Sequence, residues 1–270
     1  MTCVLCLISV FAFRQQQPSL LVIPAGKTIA QRFAVPTDFT RIISVKNSFG
    51  EYLQNTSLKA NGTLVHFYNG QEKPNKVAAA ILNVDVGTKD LQQCADAVMR
   101  LRAEYLYQNK MYDALHFKFT NGFNAEYAKW RNGYRIVVNG NKVNWIKTTK
   151  ESVSYESFKE YLNMVFIYAG TASLSQEVKM INPRQMQIGD VLIRGGSPGH
   201  AVIVVDMAVN VKTNKKLFMI AQSYMPAQDI HILINKNNPA ISPWYELNEA
   251  AEEINTPEWT FYCQEETKRF

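Results

Sequence analysis

The chain has 270 residues, 47% hydrophobic and 19% charged, which is ample apolar material for a packed core and leaves no disordered character. Its formal charge of +6 comes from 29 basic against 23 acidic residues spread along the chain. No basic stripe or basic-aromatic module is present, so nucleic acid is not the expected partner; the mild positive charge suits an anionic cell wall or membrane surface, or is an ordinary solvated surface.

Met1 to Phe13 is apolar, with no charge before Arg14. It is too short to span a membrane and has the length of a signal-peptide apolar region, although it lacks a basic start and a clear small-x-small cleavage site. We read residues 1–26 as the remnant of an export signal and an irregular lead-in through Pro18 and Pro24. Cys6 leaves lipid anchoring open, although Cys3, Val4 and Leu5 are poor company for a lipoprotein processing site. Residues 27–270 are expected to form one domain with no transmembrane helix, because no linker, charge block or fixed-period repeat interrupts them.

Short apolar runs come first. Leu64 to Tyr68 follows the turn signal Asn61-Gly62, and Val77 to Val86 ends in the strand-like Ile81 to Val86. Gly87-Thr88 stops that run, and the helical spacing of Leu91, Cys94, Ala95, Val98, Leu101, Tyr105 and Leu106 predicts a helix over Asp90 to Tyr107, capped by Thr88 or Asp90. Asn139-Gly140 between Tyr134 to Val138 and Lys142 to Ile146 predicts a β-hairpin with a type I′ turn. A second helix is expected over Ser154 to Ala169, with Gly170 past its end. Strands follow at Asp190 to Ile193, His200 to Met207, Leu217 to Ser223 and Ile230 to Ile234. The fold class expected is α+β: N-terminal strands and core helices, then an antiparallel sheet near 188–234.

Outside the leader only Cys94 and Cys263 remain, too few for a disulfide framework and not spaced with the four histidines as a zinc site. They either pair in an oxidising compartment or leave at least one working thiol. No metal or other cofactor is expected. The most specific stretch is Ile188-Gly189-Asp190-Val191-Leu192-Ile193, then Arg194 to Gly199, then His200-Ala201-Val202-Ile203-Val204-Val205-Asp206. Gly189 can take backbone angles closed to other residues, and Asp190 can bond nearby amides as the chain enters a strand. The glycine-rich connection leaves His200 at a strand start, well placed as a general base or simply hydrogen-bonded there.

This stretch resembles the Gly-Asp and Gly-His segment of NlpC-type and CHAP-type papain-like cysteine hydrolases. The resemblance implies a papain-like fold with a nucleophilic cysteine near the start of the core helix, a histidine base and a third polar residue. Cys94 fits the first role by position: the helix N-terminus and a neighbouring imidazolium lower a thiol pKa. It also lies on the apolar stripe of its helix, so a core cysteine is the bland alternative. Gln222 is the candidate that orients His200, with Ser223 and Asp206 behind it, because the returning strand puts Gln222 on the same face. The Cys94 amide and a second donor, Gln92 or Gln93, would hold an oxyanion.

Across the whole chain, Ser48-Phe49-Gly50-Glu51-Tyr52-Leu53, Asp90 to Asp96, Arg100 to Tyr105 and Gly195 to Ala201 are similar to the bacterial family called domain of unknown function 4846. That similarity implies an exported bacterial protein, periplasmic or associated with the outer membrane. It draws attention to Arg102, which either ties the helix to carbonyls or a carboxylate or clamps a substrate carboxylate; Gln93 is the other candidate substrate contact. His66, His116 and His231 show no supporting pattern, and Trp130, Trp145, Trp244 and Trp259 read as core.

Two functions are carried forward. The first is a cysteine hydrolase of amide bonds in the cell envelope, with peptidoglycan stem peptides as the substrate class, using Cys94, His200 and Gln222. The second is a non-catalytic envelope binding or scaffold protein on the same fold. Fractionation of the native host is expected to place the protein outside the cytoplasm; full-length, unprocessed protein in the cytosol would reject the export reading.

Overall fold

The computed structural model describes residues 21–248 and 250–270. The apolar segment Met1 to Phe13, Cys6 within it and the first part of the lead-in lie outside these residues.

The run His200 to Val209 is almost wholly apolar, the pattern of a strand covered on both faces. It forms the longest strand of a nine-stranded antiparallel sheet. In chain order these strands are β1 (Thr40–Arg41), β2 (Ala78–Ile81), β3 (Lys179–Met180), β4 (Val191–Arg194), β5 (His200–Val209), β6 (Lys216–Gln222), β7 (His231–Leu233), β8 (Tyr245–Leu247) and β9 (Thr267–Arg269). The spatial order is β2-β7-β6-β5-β4-β9-β3, with β1 on β5 and β8 on β6. The architecture is mixed α and β with a large antiparallel sheet. Strands from the first third of the chain, β1 and β2, join those of the last third.

The helices that bear on the site are α1 (Phe49–Gln54), which reaches the sheet through Gln54, α2 (Cys94–Gln108), which packs on it, and α3 (Tyr155–Tyr168), whose Tyr155 bonds Glu104 and Arg100 of α2. Ser48 and Ser154 cap α1 and α3, accepting from the amides of Glu51 and Ser157, respectively. Helix α2 packs along β5, and Val98 and Leu101 share the larger core cluster with Ala201, Ile203 and Val205. Val202 and Val204, on the alternate face of the pleated strand, join Phe218, Tyr245 and Phe261 in a second cluster, and Met207 joins them because a register shift at Val205 changes the alternation.

Local expectations differ from the structure at three places. The helix begins at Cys94 and not at Asp90, because Asp96 accepts from the Gln93 amide (3.0 Å) while Asp90 takes the Gln93 side chain (3.0 Å) and the Ala227 amide (2.7 Å). Asp90 is therefore bound in a loop, and the helix cap falls three residues later. In the hairpin, Asn139 pairs with Lys142, so Gly140 (φ +59°) and Asn141 are the two turn residues; glycine leads the turn, as type II′ favours, and not type I′. Leu64 to Tyr68 makes only isolated bridges, His66 with Glu72 and Phe67 with Gln228, and the expected strand to Val86 stops at Ile81.

The Gly-Asp turn behaves as its residues require. Gly189 sits at φ +96°, and a Cβ there would lie 2.9 Å from the Phe49 ring. Asp190 accepts from the Gln187 amide (2.7 Å) and holds Arg269 through both oxygens. Further along the sheet, wholly buried Asp206 accepts from Arg41 Nε (2.8 Å), Gln54 Nε2 (2.7 Å) and the Met207 amide (2.9 Å). Burial pushes this carboxyl up and the Arg41 charge pulls it back. This cluster fastens β1 and α1 to β5. Asp206→Ala would take the counter-charge from the Arg41 guanidinium, leaving it only the Ala30 and Phe33 carbonyls, and is expected to cost about 3 kcal/mol in urea unfolding at pH 7; a loss within experimental error would remove the cluster from the fold's supports.

Candidate functional site

Strand pairing sets the site. Ala221 lies opposite Ile203, and Gln222 lies opposite His231. Side chains alternate along a strand, so His200, Gln222 and His231 fall on one face across three adjacent strands. All three are buried, each exposed by no more than 1%. A buried polar atom needs a partner, and here the partners are one another.

His231 Nδ1 lies 2.8 Å from the Asp229 carbonyl, which only accepts, so that nitrogen carries the proton and Nε2 is an acceptor. Gln222 Nε2 donates toward His231 Nε2 (3.4 Å) and to Glu258 Oε2 (2.7 Å). Its oxygen consequently faces His200 Nε2 at 2.9 Å, and His200 Nε2 must donate. The basic lone pair of His200 is left on Nδ1, which has no hydrogen-bond partner among the described residues. Lys73 pairs with Glu258 at 2.7 Å, and the rings of Tyr224, Trp259 and Phe261 lie 4.8, 5.3 and 5.8 Å from the imidazole.

Cys94 is the first residue of α2 and is half-buried. Its thiol faces the Ala201 backbone amide, one residue from His200, together with the amides of Ala95 and of Cys94 itself. Ser223 fixes this approach, since its hydroxyl lies 2.9 Å from the carbonyls of both Gln92 and Gln228 and so ties the start of α2 to the end of β6. No hydrogen bond joins the Cys94 sulfur to His200. Cys94 and Cys263 are both free thiols.

The expected thiol activation is reversed at rest. Burial pushes the Cys94 thiol up to about 11, the Asp96 charge adds in the same direction, and the three amides pull it partly back. Burial also drives the Asp96 carboxyl well above the usual range, toward its neutral form, leaving desolvation as the main pressure on the thiol. Burial lowers His200 to about 4, against the favourable contact with Gln222. Near neutral pH the site holds a thiol and a neutral imidazole. Desolvation outweighs the helix N-terminus here.

The other candidates fall elsewhere. Asp206 is six residues along β5 from His200, about 20 Å away at strand rise, and belongs to the Arg41 cluster. Gln93 caps α2 and spends its side-chain nitrogen on Asp90. Arg102 is about 12 Å along the helix from Cys94. It stacks at 5.0 to 5.5 Å on Phe49, Tyr105 and Phe270, beside a cavity of about 590 Å³ that reaches Gly189 and Met207. The tying role belongs to Arg100 instead: it donates to Glu104 (2.8 Å), to Gln92 Oε1 (2.9 Å) and to Asp85 Oδ1 (2.9 Å). Gln92 Nε2 is buried without a partner.

Sequence reasoning missed Glu258, Lys73 and His231; Trp259, read as core, does pack half-buried against the second cluster and also lies beside His200. Tyr224 was within reach of a period-two argument, because it lies two residues beyond Gln222. Glu258 and Lys73 carry no local signal; they arrive from segments distant in sequence.

A family model matches residues 29–269, and the chain belongs to that family, described as domain of unknown function 4846. No curated protein and no solved structure matches it. No helix among the described residues is long and apolar enough to cross a membrane.

His231, like His200, is held at about 4 by burial, with the Asp229 carbonyl and the Glu258 and Asp229 charges raising it and Lys73 lowering it. The folded value lies below the unfolded one, so the contribution to stability is complete above about pH 6.5 and is lost as pH falls toward 4. Buried Asp206, Asp190 and Asp96 shift upward and act with the opposite sign, so the measurement is a difference. The stability gap between wild type and His231→Gln is expected to move by about 3 kcal/mol between pH 7 and pH 4, in the direction that penalises wild type in acid. A gap independent of pH in urea titrations would show that His231 is not held neutral.

Proposed function

We propose that this chain is a cysteine hydrolase of amide bonds on a papain-like fold, acting in the cell envelope, with peptidoglycan stem peptides as its substrate class. One observation carries the reading: the bonds from Asp229 through His231, Gln222 and His200 leave the imidazole lone pair on Nδ1, while Cys94 heads a helix at the adjacent Ala201 amide. The substrate class and the location rest on the resemblance of the Gly-Asp and Gly-His segment and on the apolar leader.

In this mechanism Nδ1 of His200 takes the Cys94 proton as the sulfur bonds to the amide carbon. With the thiol near 11 and the imidazole near 4, the transfer accompanies attack instead of preceding it. The tetrahedral oxyanion accepts from the Cys94 amide and a second donor. Gln92 suits that role better than Gln93, because its Nε2 is unused and its Oε1 is fixed by Arg100. The imidazolium then protonates the leaving nitrogen, the C–N bond breaks and a thioester remains. Water, losing a proton to Nδ1, attacks the thioester carbon; the C–S bond then breaks, the imidazolium returns the proton to sulfur, and the carboxylic acid leaves with the thiol restored. Gln222 keeps the ring in the tautomer this needs. Sulfur and imidazole share no hydrogen bond: α2 packs on the Ala201 face of β5 and His200 lies on the alternate face, so the mechanism requires the two to draw together at the strand's start when substrate binds.

The second reading, a binding protein on the same fold, draws on the raised thiol and the missing sulfur-imidazole bond. Iodoacetamide labelling of Cys94, followed by mass spectrometry from pH 6 to 10, separates the two. With His200 acting as base the rate is expected to change little while the imidazole is neutral and the thiol protonated, and at pH 8 to fall more than tenfold in His200→Ala, whose remaining rate climbs about tenfold per pH unit. Incubation with stem-peptide fragments should release a new amine, lost in Cys94→Ala, reduced about 10²-fold or more in His200→Ala, and reduced less in Gln222→Ala. Equal labelling with and without His200, together with no release from any fragment, would replace the enzyme with the binding protein.

A further inference from the structure

We propose that Glu258, held by Lys73, is a positioning residue: it sets the amide orientation of Gln222 and, through it, which nitrogen of His200 carries the proton. The tautomer claim stands on geometry alone, and its catalytic consequence rests on the hydrolase reading above.

A glutamine side chain presents an oxygen on one side and a nitrogen on the other, nearly equal in shape. Its direction inside a protein is decided by its neighbours. Gln222 is wholly buried and has three: His200 Nε2 at 2.9 Å, Glu258 Oε2 at 2.7 Å and His231 Nε2 at 3.4 Å. Imidazole can adapt to either end of the amide by moving its proton. A carboxylate cannot, because it only accepts. His231 also resists, being fixed as an acceptor by the Asp229 carbonyl, but at 3.4 Å its hold is weak by ordinary hydrogen-bond geometry. Glu258, at 2.7 Å and paired with Lys73, makes the stronger bond.

A flipped Gln222 would set its oxygen against the carboxylate and against the His231 lone pair, leaving acceptors facing acceptors in a buried place. It would also aim an amide N–H at His200 Nε2 and force the ring proton onto Nδ1, the nitrogen that must be free to take a proton. Lys73 anchors the carboxylate in this place: its side chain is only 5% exposed and its ammonium lies 2.7 Å from Glu258. The Thr256 to Thr260 turn that carries Glu258 also lays the Trp259 ring over His200, so one turn supplies both the orienting charge and part of the cover.

The test uses full-length protein with ¹⁵N-labelled histidine, in which long-range ¹⁵N–¹H correlation spectra distinguish Nδ1–H from Nε2–H rings. His200 and His231 are assigned through His200→Ala and His231→Gln. Wild type is expected to show His200 in a single Nε2–H form near neutral pH. Glu258→Gln, which can donate as well as accept, should release the amide and bring up the Nδ1–H form. The double variant Gln222→Glu with Glu258→Gln puts an obligate acceptor beside His200 and should restore Nε2–H. Should Glu258→Gln fail to fold, Glu258→Asp withdraws the carboxylate from Gln222 while keeping its charge beside Lys73, and the Nδ1–H form should again appear. A His200 ring that stays wholly Nε2–H in the folded Glu258 variants overturns the proposal. Alkylation of Cys94 on the same samples separates this from the hydrolase reading. The rate should fall about tenfold with the tautomer, as expected when the base is mispositioned. If the tautomer moves while the rate is independent of His200, the positioning role stands and the hydrolase reading falls.

Discussion

Burial of three polar side chains on one face of adjacent strands is the constraint on which the rest of this site depends. His200, Gln222 and His231 are shut away from water among Tyr224, Trp259 and Phe261, so each must bond to what its neighbours offer. An amide between two imidazoles could point either way. The Asp229 carbonyl at one end and the Glu258 carboxylate at the side are acceptors that cannot change character, and they give the network a direction. That direction reaches His200 as a specific tautomer.

The approach of Cys94 depends on the same economy of polar groups at the start of α2. Asp96 turns back to the Gln93 amide, Asp90 holds the Gln93 side chain and the Ala227 amide, and Ser223 lies against the Gln92 carbonyl. Together they make Cys94 the first helical residue and bring its thiol to the Ala201 amide. The same burial raises the thiol and lowers the imidazole, so the resting site is neutral. An ion pair is stabilised only if its mutual attraction exceeds the desolvation of both charges, and here desolvation dominates. Proton transfer coupled to attack is the chemistry such a site permits.

Arg100 and Arg102 show how little separation along a helix decides a role. Two residues apart, they emerge on different sides of α2. Arg100 meets Glu104, Gln92 and Asp85, and it braces the loop before Cys94; Arg102 meets three aromatic rings at the other end of β5. Helical rotation of about 100° per residue separates them, and a similarity spanning Arg100 to Tyr105 as one block cannot distinguish such faces.

The sequence by itself determined the elements whose signals are local. The Gly189-Asp190 turn, the apolar run from His200, the helix from Ser154 to Ala169, and the diagonal placement of Gln222 beside His200 all follow from backbone freedom and from the helical and period-two spacing of apolar residues. It also gave membership of the family, through similarity spread over most of the chain. Only the tertiary structure decided where α2 begins, because Asp90 is drawn into the loop by Ala227, which lies far along the chain. Only the tertiary structure brought Lys73 and Glu258 to Gln222, sent Asp206 to Arg41, and made His231 part of the network. Those outcomes depend on which buried polar atoms meet, and on how far burial shifts their charges; the partners come from segments whose proximity no local pattern records.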